Sequence, residues 1–476
     1  MRIAMVSSEV SPHATTGGLG EVVASLSAAL AARGHEVSVF MPLYRCVHSN
    51  DSELLLKDAM EFGDRETAWE TRLLDEANGW RLYGVRKEEF FDRRHLYGEG
   101  DCDYEDNAER FIFFCRAVLR ALEKLDLAPE IVHAHDWQTA LLPSLLAARR
   151  GARSTSLLTL HNLAFQGVFP AARFALTGLP RGFFSFHGLE FFGQINLLKG
   201  GILHADRVNT VSPTYAKEIQ TAAFGCGLEG VLSGRPDKVA GILNGIDPSR
   251  WDPATDAQIL ETFDAKDLSG KAACKLALAR ELGLRLGRVP APLFAMVARL
   301  TAQKGLDALL DALPELVEMG AKLVLLGSGS AEYEDALRAA AARHKGSVAA
   351  RIGFDEGLAR RIFAGSDFFL MPSFFEPCGL SHMQAMRYGG IPVVRATGGL
   401  EDSVVERKDG GSEATGIKFA GAGPKALLHA AHEAIRIFRD PDKLSTMRAA
   451  AMRADFSWSK SAQAYETLYA SLKARD

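Results

Sequence analysis

The feature that most constrains the fold of this sequence is a regular alternation between short apolar segments and stretches with helical periodicity. Residues 2–7 predict a strand, a glycine-containing loop follows, and residues 21–33 place apolar side chains at helical spacing. Strands that alternate with helices form parallel sheets covered on both faces, so the first half predicts a doubly wound α/β domain. Its further strands are predicted at residues 36–41, 80–85, 131–134, 156–159, 207–211 and 239–243, with helices at residues 107–125 and 139–149.

A second alternating series begins at Pro290 and predicts a second domain of the same class. A chain of 476 residues exceeds what one hydrophobic core usually supports. We therefore expect two doubly wound, Rossmann-like domains that face each other across a deep cleft. The turn-forming residues 244–247 predict a boundary between domains at residues 1–243 and 244–455, and we expect a helix within residues 456–476 to pack back on the first domain. The strands of the second series are predicted at residues 293–297, 322–326, 347–352, 368–371 and 392–394.

Charge and cysteine usage narrow the possible partners and compartments. Lys plus Arg number 55 and Asp plus Glu 59, a net charge of −4, which gives no reason to expect a surface for nucleic acid or an anionic membrane. No apolar run has the length of a membrane span, and the apolar segment near the N-terminus is too short for a signal peptide. The six cysteines are dispersed without a C-x-x-C pair, which is typical of reduced thiols in a cytoplasmic protein.

A loop in the second predicted domain holds the first candidate site. Ligands of parallel sheets bind beyond the carboxyl ends of the strands, and Glu376 falls directly after such a strand. Pro377 suits an early helical position, and the backbone N–H groups of Cys378, Gly379 and Leu380 suit a bound anion. The alternative is that this Glu-Pro pair only marks the start of a helix.

Further features of the same domain favour a phosphate ligand. Arg299 and Lys304 follow a predicted strand and suit a diphosphate, because arginine offers a planar fork and lysine a point charge. Taken alone, both are equally consistent with solvated loop charges. A second glycine-rich turn offers backbone amides at the start of a helix. It consists of Thr397, Gly398, Gly399 and Leu400.

Candidate residues of the first domain also follow predicted strands. The loop with Gly17, Gly18 and Leu19 matches neither the dinucleotide fingerprint nor the P-loop, so alone it favours an ordinary turn. Asp136 and His161 end neighbouring strands. A carboxylate and an imidazole in those places suit the binding of sugar hydroxyls.

Two other interpretations concern the same domain. His133 and His135 precede the aspartate and suggest a metal site, but the third and fourth ligands have no clear counterpart. Lys199 lies beside two glycines and is either a ligand or a charge on a helix surface, with the surface favoured.

Together these residues resemble the bacterial glycogen synthases and plant starch synthases, which are retaining glucosyltransferases of the two-domain GT-B fold. The resemblance covers nearly the whole chain, and its motifs follow the order of that family. They lie at residues 7–9, 17–19, 133–137, 161–163, 198–202, 210–215, 241–247, 299–300, 303–305, 376–380 and 397–400.

The resemblance implies transfer of glucose from ADP-glucose to the non-reducing end of an α-1,4-glucan, with the anomeric configuration kept and without a metal or other cofactor. By the same resemblance, Arg299 and Lys304 neutralise the departing diphosphate and Glu376 holds hydroxyls of the donor glucose. His161 and Asp136 would lie beside the anomeric carbon. The substrate-binding positions that the resemblance implies are Gly17, Gly18, Leu19, Asn162, Asn244, Cys378, Gly379, Leu380, Thr397, Gly398, Gly399 and Leu400.

Three motif positions depart from the family pattern. Thr15 stands where the family has a lysine, Gln138 where it has a histidine and Phe374 where it has an arginine. His13 or Arg45 is a candidate to replace a missing cation. The departures leave two alternatives open: a related transferase that uses UDP-glucose or another acceptor, and a catalytically weak glucan-binding or regulatory relative.

Overall fold

The computed structural model describes residues 1–47, 52–76, 79–100, 102–149, 154–287, 290–406 and 413–473. The chain divides into two compact units. Unit 1 comprises residues 1–244 with the terminal helix that begins at Trp458, and unit 2 comprises residues 245–457. The predicted boundary after residue 243 falls one residue before this division. Residues 474–476 of the predicted terminal segment lie outside the described residues, and the cleft between the domains stays a prediction.

Unit 1 is built on a sheet of nine strands in the order β14-β13-β9-β8-β1-β2-β5-β4-β3. The strands predicted from the sequence are confirmed within one or two residues at their ends. Strands of unit 1 are β1 (Arg2–Val6), β2 (Glu36–Pro42), β3 (Glu53–Phe62), β4 (Arg65–Asp75), β5 (Trp80–Arg86), β6 (Gly98–Glu99), β7 (Cys102–Asp103), β8 (Ile131–His135), β9 (Thr155–Leu160), β10 (Val168–Pro170), β11 (Glu190–Phe191), β12 (Gln194–Asn196), β13 (Arg207–Thr210) and β14 (Val239–Gly241). Its helices before residue 245 are α1 (Gly18–Ala32), α2 (Glu88–Phe91), α3 (Asn107–Lys124), α4 (Leu141–Ala148), α5 (Leu197–His204), α6 (Pro213–Glu218) and α7 (Glu229–Ser233).

The expectation of a wholly parallel sheet is wrong at one edge of unit 1. Strand β4 pairs antiparallel with β5, and β3 pairs antiparallel with β4. Most residues of β3 are exposed or half-buried, and charged residues at positions 53, 57, 58 and 61 interrupt its apolar residues, so it lacks the continuous apolar run of a buried parallel strand. The hairpin adds two strands beyond the parallel part, which runs from β14 to β5.

Unit 2 contains a parallel sheet of six strands in the order β17-β16-β15-β18-β19-β20. The five strands predicted for this domain are confirmed. Its strands are β15 (Leu293–Val297), β16 (Lys322–Gly327), β17 (Val348–Ile352), β18 (Phe368–Met371), β19 (Ile391–Arg395) and β20 (Ile417–Phe419). Its helices are α8 (Ser269–Leu282), α9 (Leu306–Glu318), α10 (Ala331–Arg343), α11 (Glu356–Gly365), α12 (Ser381–Arg387), α13 (Gly398–Ser403), α14 (Pro424–Phe438) and α15 (Pro441–Arg453).

The last helix, α16 (Trp458–Lys473), follows unit 2 in the chain but packs in unit 1 against α1. Two buried tyrosines of α16 reach the sheet. The hydroxyl of Tyr469 lies 2.8 Å from Nδ1 of His133, and Nδ2 of Asn209 donates to the hydroxyl of Tyr465 at 3.1 Å. The helix therefore supplies hydrogen-bonding groups to the core of unit 1, although more than 200 residues of unit 2 separate it in sequence from the rest of that unit.

In the described ranges, no helix combines the length and the apolar character needed to cross a membrane.

Candidate active site

The candidate site of unit 1 lies where β8 and β9 end. Asp136 follows β8 in a left-handed backbone conformation, with φ of 56°. Its carboxylate accepts hydrogen bonds from the backbone N–H groups of His161 at 2.7 Å and Asn162 at 3.4 Å. The two loops are thereby tied together, and the predicted neighbours Asp136 and His161 are in direct contact.

A row of three histidine rings extends from this loop into the sheet. The ring centroids of His133 and His135 are 4.1 Å apart, and those of His135 and His161 are 5.3 Å apart. Nδ1 of His135 lies 3.0 Å from Nε2 of His161, whereas the buried Nε2 of His135 has no partner among the described residues. Because orphaned buried N–H groups are rare, the proton of His135 is favoured on Nδ1, where it donates to His161.

Desolvation sets the charge of this cluster. Burial raises the pKa of Asp136 to about 7, although the N–H groups of His161 and Asn162 lower it. Burial lowers the pKa of His161 to about 3 and the pKa of both His133 and His135 well below the ordinary value. The histidines are therefore neutral at pH 7, and the aspartate is near the midpoint of its titration.

The glycine loop before α1 is held by a buried carboxylate that the sequence analysis did not single out. Glu9 accepts hydrogen bonds from the backbone N–H of Thr16 at 2.6 Å, from the hydroxyl of Thr16 at 2.7 Å and from the hydroxyl of Tyr97 at 2.7 Å. Gly17 and Gly18 follow immediately and are exposed, and Leu19 is half-buried in the first turn of α1. The motif at residues 7–9 contains one glutamate, and nothing in its sequence predicts that this side chain would accept hydrogen bonds from Thr16.

The candidate site of unit 2 is organised by one ion pair. Nζ of Lys304 lies 2.5 Å from Oε2 of Glu376, and the hydroxyl of Ser373 donates to the same oxygen at 3.2 Å. Glu376 is buried, with 5% of its surface exposed. The structure thus brings together two predicted residues that are 72 positions apart in the chain.

Backbone contacts fix the two loops that carry this pair. The N–H of Phe374 donates to the carbonyl of Gln303 at 2.8 Å. Gly305 has φ of 72°, and a Cβ on it would lie 2.0 Å from the carbonyl oxygen of Pro372. Only glycine allows so close an approach in that conformation. The loops are therefore rigidly matched before any ligand binds.

The second glycine-rich turn packs directly on the Glu376 loop. The N–H of Gly399 donates to the carbonyl of Glu376 at 3.0 Å, and a Cβ on Gly398 would lie 2.0 Å from that same oxygen. Behind the turn, Nε2 of His382 lies 2.6 Å from the hydroxyl of Ser403, which donates to the carbonyl of Gly399 at 2.5 Å. The Glu376 loop and the turn of residues 397–400 are therefore in contact, as predicted from their places after neighbouring strands.

The remaining predicted residues of unit 2 lie at the same edge of its sheet. Arg299 follows β15 and is exposed, and among the described residues no carboxylate is within ion-pair distance of it. Gly379 has φ of 77°, and Cys378 is buried next to it. Asn244 lies at the end of the first segment of unit 1 and is buried, and its Oδ1 has no hydrogen-bond partner among the described residues.

Lys199 differs from the favoured interpretation, and the candidate cation Arg45 has an acidic partner. Lys199 is buried, not on a helix surface, and its Nζ donates to the carbonyls of Phe186 at 2.8 Å and Glu190 at 2.5 Å. Arg45 is held by Asp92, with Nε at 2.6 Å from the carboxylate.

The three positions that depart from the family pattern differ in their surroundings. The hydroxyl of Thr15 donates to the carbonyl of Gly17 at 2.9 Å, and Phe374 is 38% exposed. Gln138 is buried, and its Oε1 has no hydrogen-bond partner in the part of the chain that the structure describes. His13 lies 3.5 Å from Asp75, so each of the two candidate replacement cations has an acidic neighbour.

Phe354 of unit 2 was not among the candidate site residues predicted from the sequence. Phe354 lies two positions beyond β17 at the carboxyl edge of the sheet, and its side chain is 91% exposed. An aromatic ring left in water at a ligand-binding edge is a candidate platform for a flat ligand. Its only signal in the sequence was a single phenylalanine after a predicted strand.

Within the described residues, no group of three or more His, Cys, Asp or Glu side chains is arranged to hold a metal ion.

Comparisons with known proteins first define the class. Residues 2–234 match the family described as "Starch synthase catalytic domain", and residues 291–436 match "Glycosyl transferases group 1". The catalytic domain of starch synthase IV from Arabidopsis thaliana superposes with a TM-score of 0.91 at 34% identity, and the match covers 99% of each chain. The two Rossmann-like domains are those of a GT-B glycosyltransferase.

Full-length relatives narrow the class to one family. A glycogen synthase of Anaeromyxobacter sp. is 51% identical over 100% of both chains, and glycogen synthase 2 of Geobacter sulfurreducens is 46% identical over 98% of both. This chain belongs to the glycogen and starch synthase family of glucosyltransferases. Its substrates are accordingly a nucleotide-sugar donor and a glucan acceptor.

Proposed function

We propose that this chain transfers glucose from ADP-glucose to the 4-hydroxyl at the non-reducing end of an α-1,4-glucan, with retention of the anomeric configuration. The observation that carries the proposal is the buried pair of Lys304 and Glu376; Arg299 follows β15 at the same edge of the sheet, and no carboxylate of the described residues is within ion-pair distance of it. A carboxylate that binds sugar hydroxyls and two cations that bind a diphosphate are the groups that a nucleotide sugar requires.

The cations act on the leaving group. Negative charge builds up on the diphosphate as its bond to the glucose carbon breaks, and preorganised positive charge stabilises that transition state. Lys304 is already fixed by Glu376 and by the backbone contacts of both loops, so little reorganisation is needed when the donor binds. The turn of Thr397 to Leu400 is fixed against the same loop, because the N–H of Gly399 donates to the carbonyl of Glu376 at 3.0 Å.

The preference for an adenine nucleotide is supported by Phe354. Stacking of a base on an aromatic ring contributes roughly 1 to 3 kcal/mol, and the two fused rings of adenine offer more stacking area than the single ring of uracil. The starch synthase IV to which this chain is 34% identical is described as bound to ADP.

The neutral cluster of unit 1 suits the glucose itself. His161 and Asp136 are the partly exposed members of this cluster, and an uncharged imidazole and a carboxyl with pKa of about 7 offer hydrogen-bonding groups to sugar hydroxyls; His133 and His135 are buried behind them. The ionised form of Asp136 would stabilise positive charge at the anomeric carbon. His161, oriented by His135, would position the sugar.

The chemical step balances without a protein nucleophile. The bond from the anomeric carbon to the diphosphate oxygen breaks, a bond to the acceptor 4-oxygen forms on the same face, and the acceptor proton passes to the departing phosphate. A stable glucosyl adduct on any side chain of the purified enzyme would contradict this step.

A donor comparison tests the proposal. Purified protein is supplied with glycogen and either ADP-glucose or UDP-glucose, and the anomeric proton of the new linkage is followed by NMR. We expect α-linked product and a kcat/KM for ADP-glucose at least about tenfold above that for UDP-glucose. A tenfold ratio corresponds to about 1.4 kcal/mol of extra stacking free energy for adenine. Phe354→Ser serves as the matched variant and should reduce this ratio. A preference of the wild type for UDP-glucose would overturn the choice of nucleotide.

We also propose that side-chain cations, rather than a metal ion, stabilise the diphosphate. Turnover that is unchanged by EDTA supports this, and turnover that EDTA abolishes and Mg²⁺ restores contradicts it.

A cytoplasmic location, without nucleic acid or membrane as partner, is likewise a proposal. The net charge of −4 and the thiols of Cys46, Cys102, Cys115, Cys226 and Cys274, all outside disulfides, support it. Cell fractionation with immunodetection of the chain tests the location.

A further inference from the structure

A buried histidine behind the candidate site of unit 2 joins the two loops that form it. His382 lies in the first turn of α12, directly after the Glu376 loop, and none of its surface is exposed. Its Nε2 atom lies 2.6 Å from the hydroxyl of Ser403, the last residue of α13. That hydroxyl donates to the carbonyl of Gly399 at 2.5 Å, so the contacts connect α12 to the turn of residues 397–400.

The direction of these hydrogen bonds follows from the protons that each group has. A serine hydroxyl has one proton and a carbonyl can only accept, so Ser403 donates to Gly399 and must accept from His382. The imidazole therefore carries its proton on Nε2. Its Nδ1 atom is left as an acceptor, and this buried atom has no hydrogen-bond partner among the described residues.

The imidazole is uncharged. A second proton, on Nδ1, would be buried without an acceptor among the described residues. Burial, and in addition the charge of Lys304, lowers the pKa of His382 to about 3. At pH 7 this side chain is thus a neutral donor with one fixed hydrogen bond.

Gly399 is held at both of its backbone polar groups. Its carbonyl accepts from Ser403, and its N–H donates to the carbonyl of Glu376 at 3.0 Å. The ring of His382 also lies against Gly379, where a Cβ would be 3.0 Å from Nδ1 and 3.2 Å from Cγ of Glu376. The imidazole, the glycine-rich turn and the Glu376 loop are therefore packed together at one point.

We propose that His382 is a positioning residue for glucose transfer: through Ser403 and Gly399 it holds the backbone of Glu376 and so places the carboxylate that binds the donor glucose. The inference rests on the proposed function, in which Glu376 has that role. Lys304 also contacts this carboxylate, but in the proposed function it serves the diphosphate as well. The connection through His382 uses no group that the ligand needs.

A purely structural role is the alternative. A serine in a helix often donates to the carbonyl four residues earlier, and that bond alone needs no histidine. The two roles predict different measurements. A lost structural hydrogen bond lowers the free energy of unfolding, whereas a displaced Glu376 also raises the KM for the donor.

Three variants interrupt or preserve the connection. His382→Leu removes the first hydrogen bond, Ser403→Ala removes the second, and His382→Gln keeps a side-chain N–H that can donate to Ser403. Tyr388→Phe is the matched control. It removes a buried hydroxyl that donates to Asp256 at the other end of α12.

We expect the KM for ADP-glucose to rise about tenfold in His382→Leu and in Ser403→Ala with kcat unchanged, because the glucose contact weakens equally in the ground state and the transition state. The double variant His382→Leu/Ser403→Ala should be no worse than the single variants, since both residues act through one connection. His382→Gln and Tyr388→Phe should keep the wild-type KM. The KM for glycogen should be the same in all variants.

An unchanged KM for ADP-glucose in His382→Leu would overturn the inference. An equal rise in Tyr388→Phe would do the same, and so would a double variant whose effect is the product of the two single effects. If His382→Leu does not fold, Ser403→Ala decides, because it removes only one oxygen atom.

The test also separates the inference from the proposed function. If the wild type uses UDP-glucose instead, the proposed donor is wrong, and the KM for UDP-glucose decides on His382 in the same way. If it transfers glucose from neither nucleotide, the dissociation constant of ADP-glucose, measured by calorimetry, replaces the KM. A rise in His382→Leu that is absent in Tyr388→Phe then supports the inference, and equal constants or no binding overturn it.

Discussion

The candidate sites of the two units use opposite electrostatics. In unit 1, desolvation keeps His133, His135 and His161 neutral and raises the pKa of Asp136 to about 7. In unit 2, Lys304 and Glu376 form a buried ion pair. In unit 1, burial favours the uncharged form of the histidines. In unit 2, the cost of burying two charges is offset by the attraction between them. The difference supports the proposal that the cations of unit 2 bind the diphosphate, while Asp136 and His161 of unit 1 contact the sugar.

Removal of a cation of unit 2 tests this assignment with the largest expected effect. Loss of one preorganised stabiliser costs roughly 3 to 4 kcal/mol, or about 10² to 10³ in kcat. We expect Arg299→Ala and Lys304→Ala each to lose at least that factor with ADP-glucose. Steady-state kinetics measure it, and wild-type turnover in either variant would refute the role.

A control separates chemistry from folding in Lys304→Ala, which leaves the buried carboxylate of Glu376 without its partner. The double variant Lys304→Met/Glu376→Gln removes both charges. We expect its melting temperature to recover relative to Lys304→Ala while its activity stays lost. Recovered activity would show that the lysine serves only stability.

Asp136→Asn tests the neutral site, with an expected loss of about 10² in kcat, the scale of one lost transition-state stabiliser. The wild-type kcat should rise with pH through about 7 as the carboxyl ionises, and the variant should lack that limb. A pH profile of kcat measures both. If kcat of Asp136→Asn still rises with pH through about 7, the titration belongs to another group.

The same raised pKa predicts a pH-dependent stability. The folded state holds the proton of Asp136 more tightly than the unfolded chain, so this contribution is present below the unfolded pKa of about 3.9 and is lost as pH rises to about 7. Relative to the wild type, Asp136→Asn should therefore gain free energy of unfolding between pH 4 and 7 and no more above it. Urea unfolding at several pH values measures the difference.

Thr15→Lys sharpens the comparison by adding a cation to the glycine loop of unit 1. Thr15 is exposed, so the longer side chain fits without repacking. A charge-assisted contact to phosphate would lower the KM for ADP-glucose by about tenfold, which corresponds to a hydrogen bond of about 1.5 kcal/mol. Thr15→Met is the control of similar length. An unchanged KM means that the diphosphate is held by unit 2 alone.

Tyr469→Phe has the smallest expected effect, since it removes only the hydroxyl next to Nδ1 of His133. A lost buried hydrogen bond should lower the free energy of unfolding by about 1 kcal/mol. Activity should change little, because His133 contacts His135 through its ring alone. Thermal unfolding and a standard assay measure the two effects.

The fold was predictable because buried parallel strands form continuous apolar runs. Strands such as β8 and β18 are buried throughout and were identified within one residue of their ends. The hairpin of β3 and β4 was missed because its strands face solvent and contain charged residues. Sequence patterns report burial, and an exposed edge leaves no such pattern.

The site was predictable to the extent that it follows strand ends. Glu376, Lys304, Asp136 and His161 were placed by that rule, and the structure brings each pair into contact. Lys199 was misjudged because its acceptors are backbone carbonyls, which have no sequence signature. The exposure of Phe354 is likewise a property of the packed domain and not of its neighbours in sequence.

Helix α16 has a consequence for how the protein is made. Its tyrosines fill polar positions of the first sheet, yet they are translated only after all of unit 2. While the ribosome is still adding unit 2, His133 and Asn209 have no partner from α16. The first domain to be synthesised is thus the last to mature, and a nascent chain stalled before residue 458 should recruit chaperones through that unfinished surface.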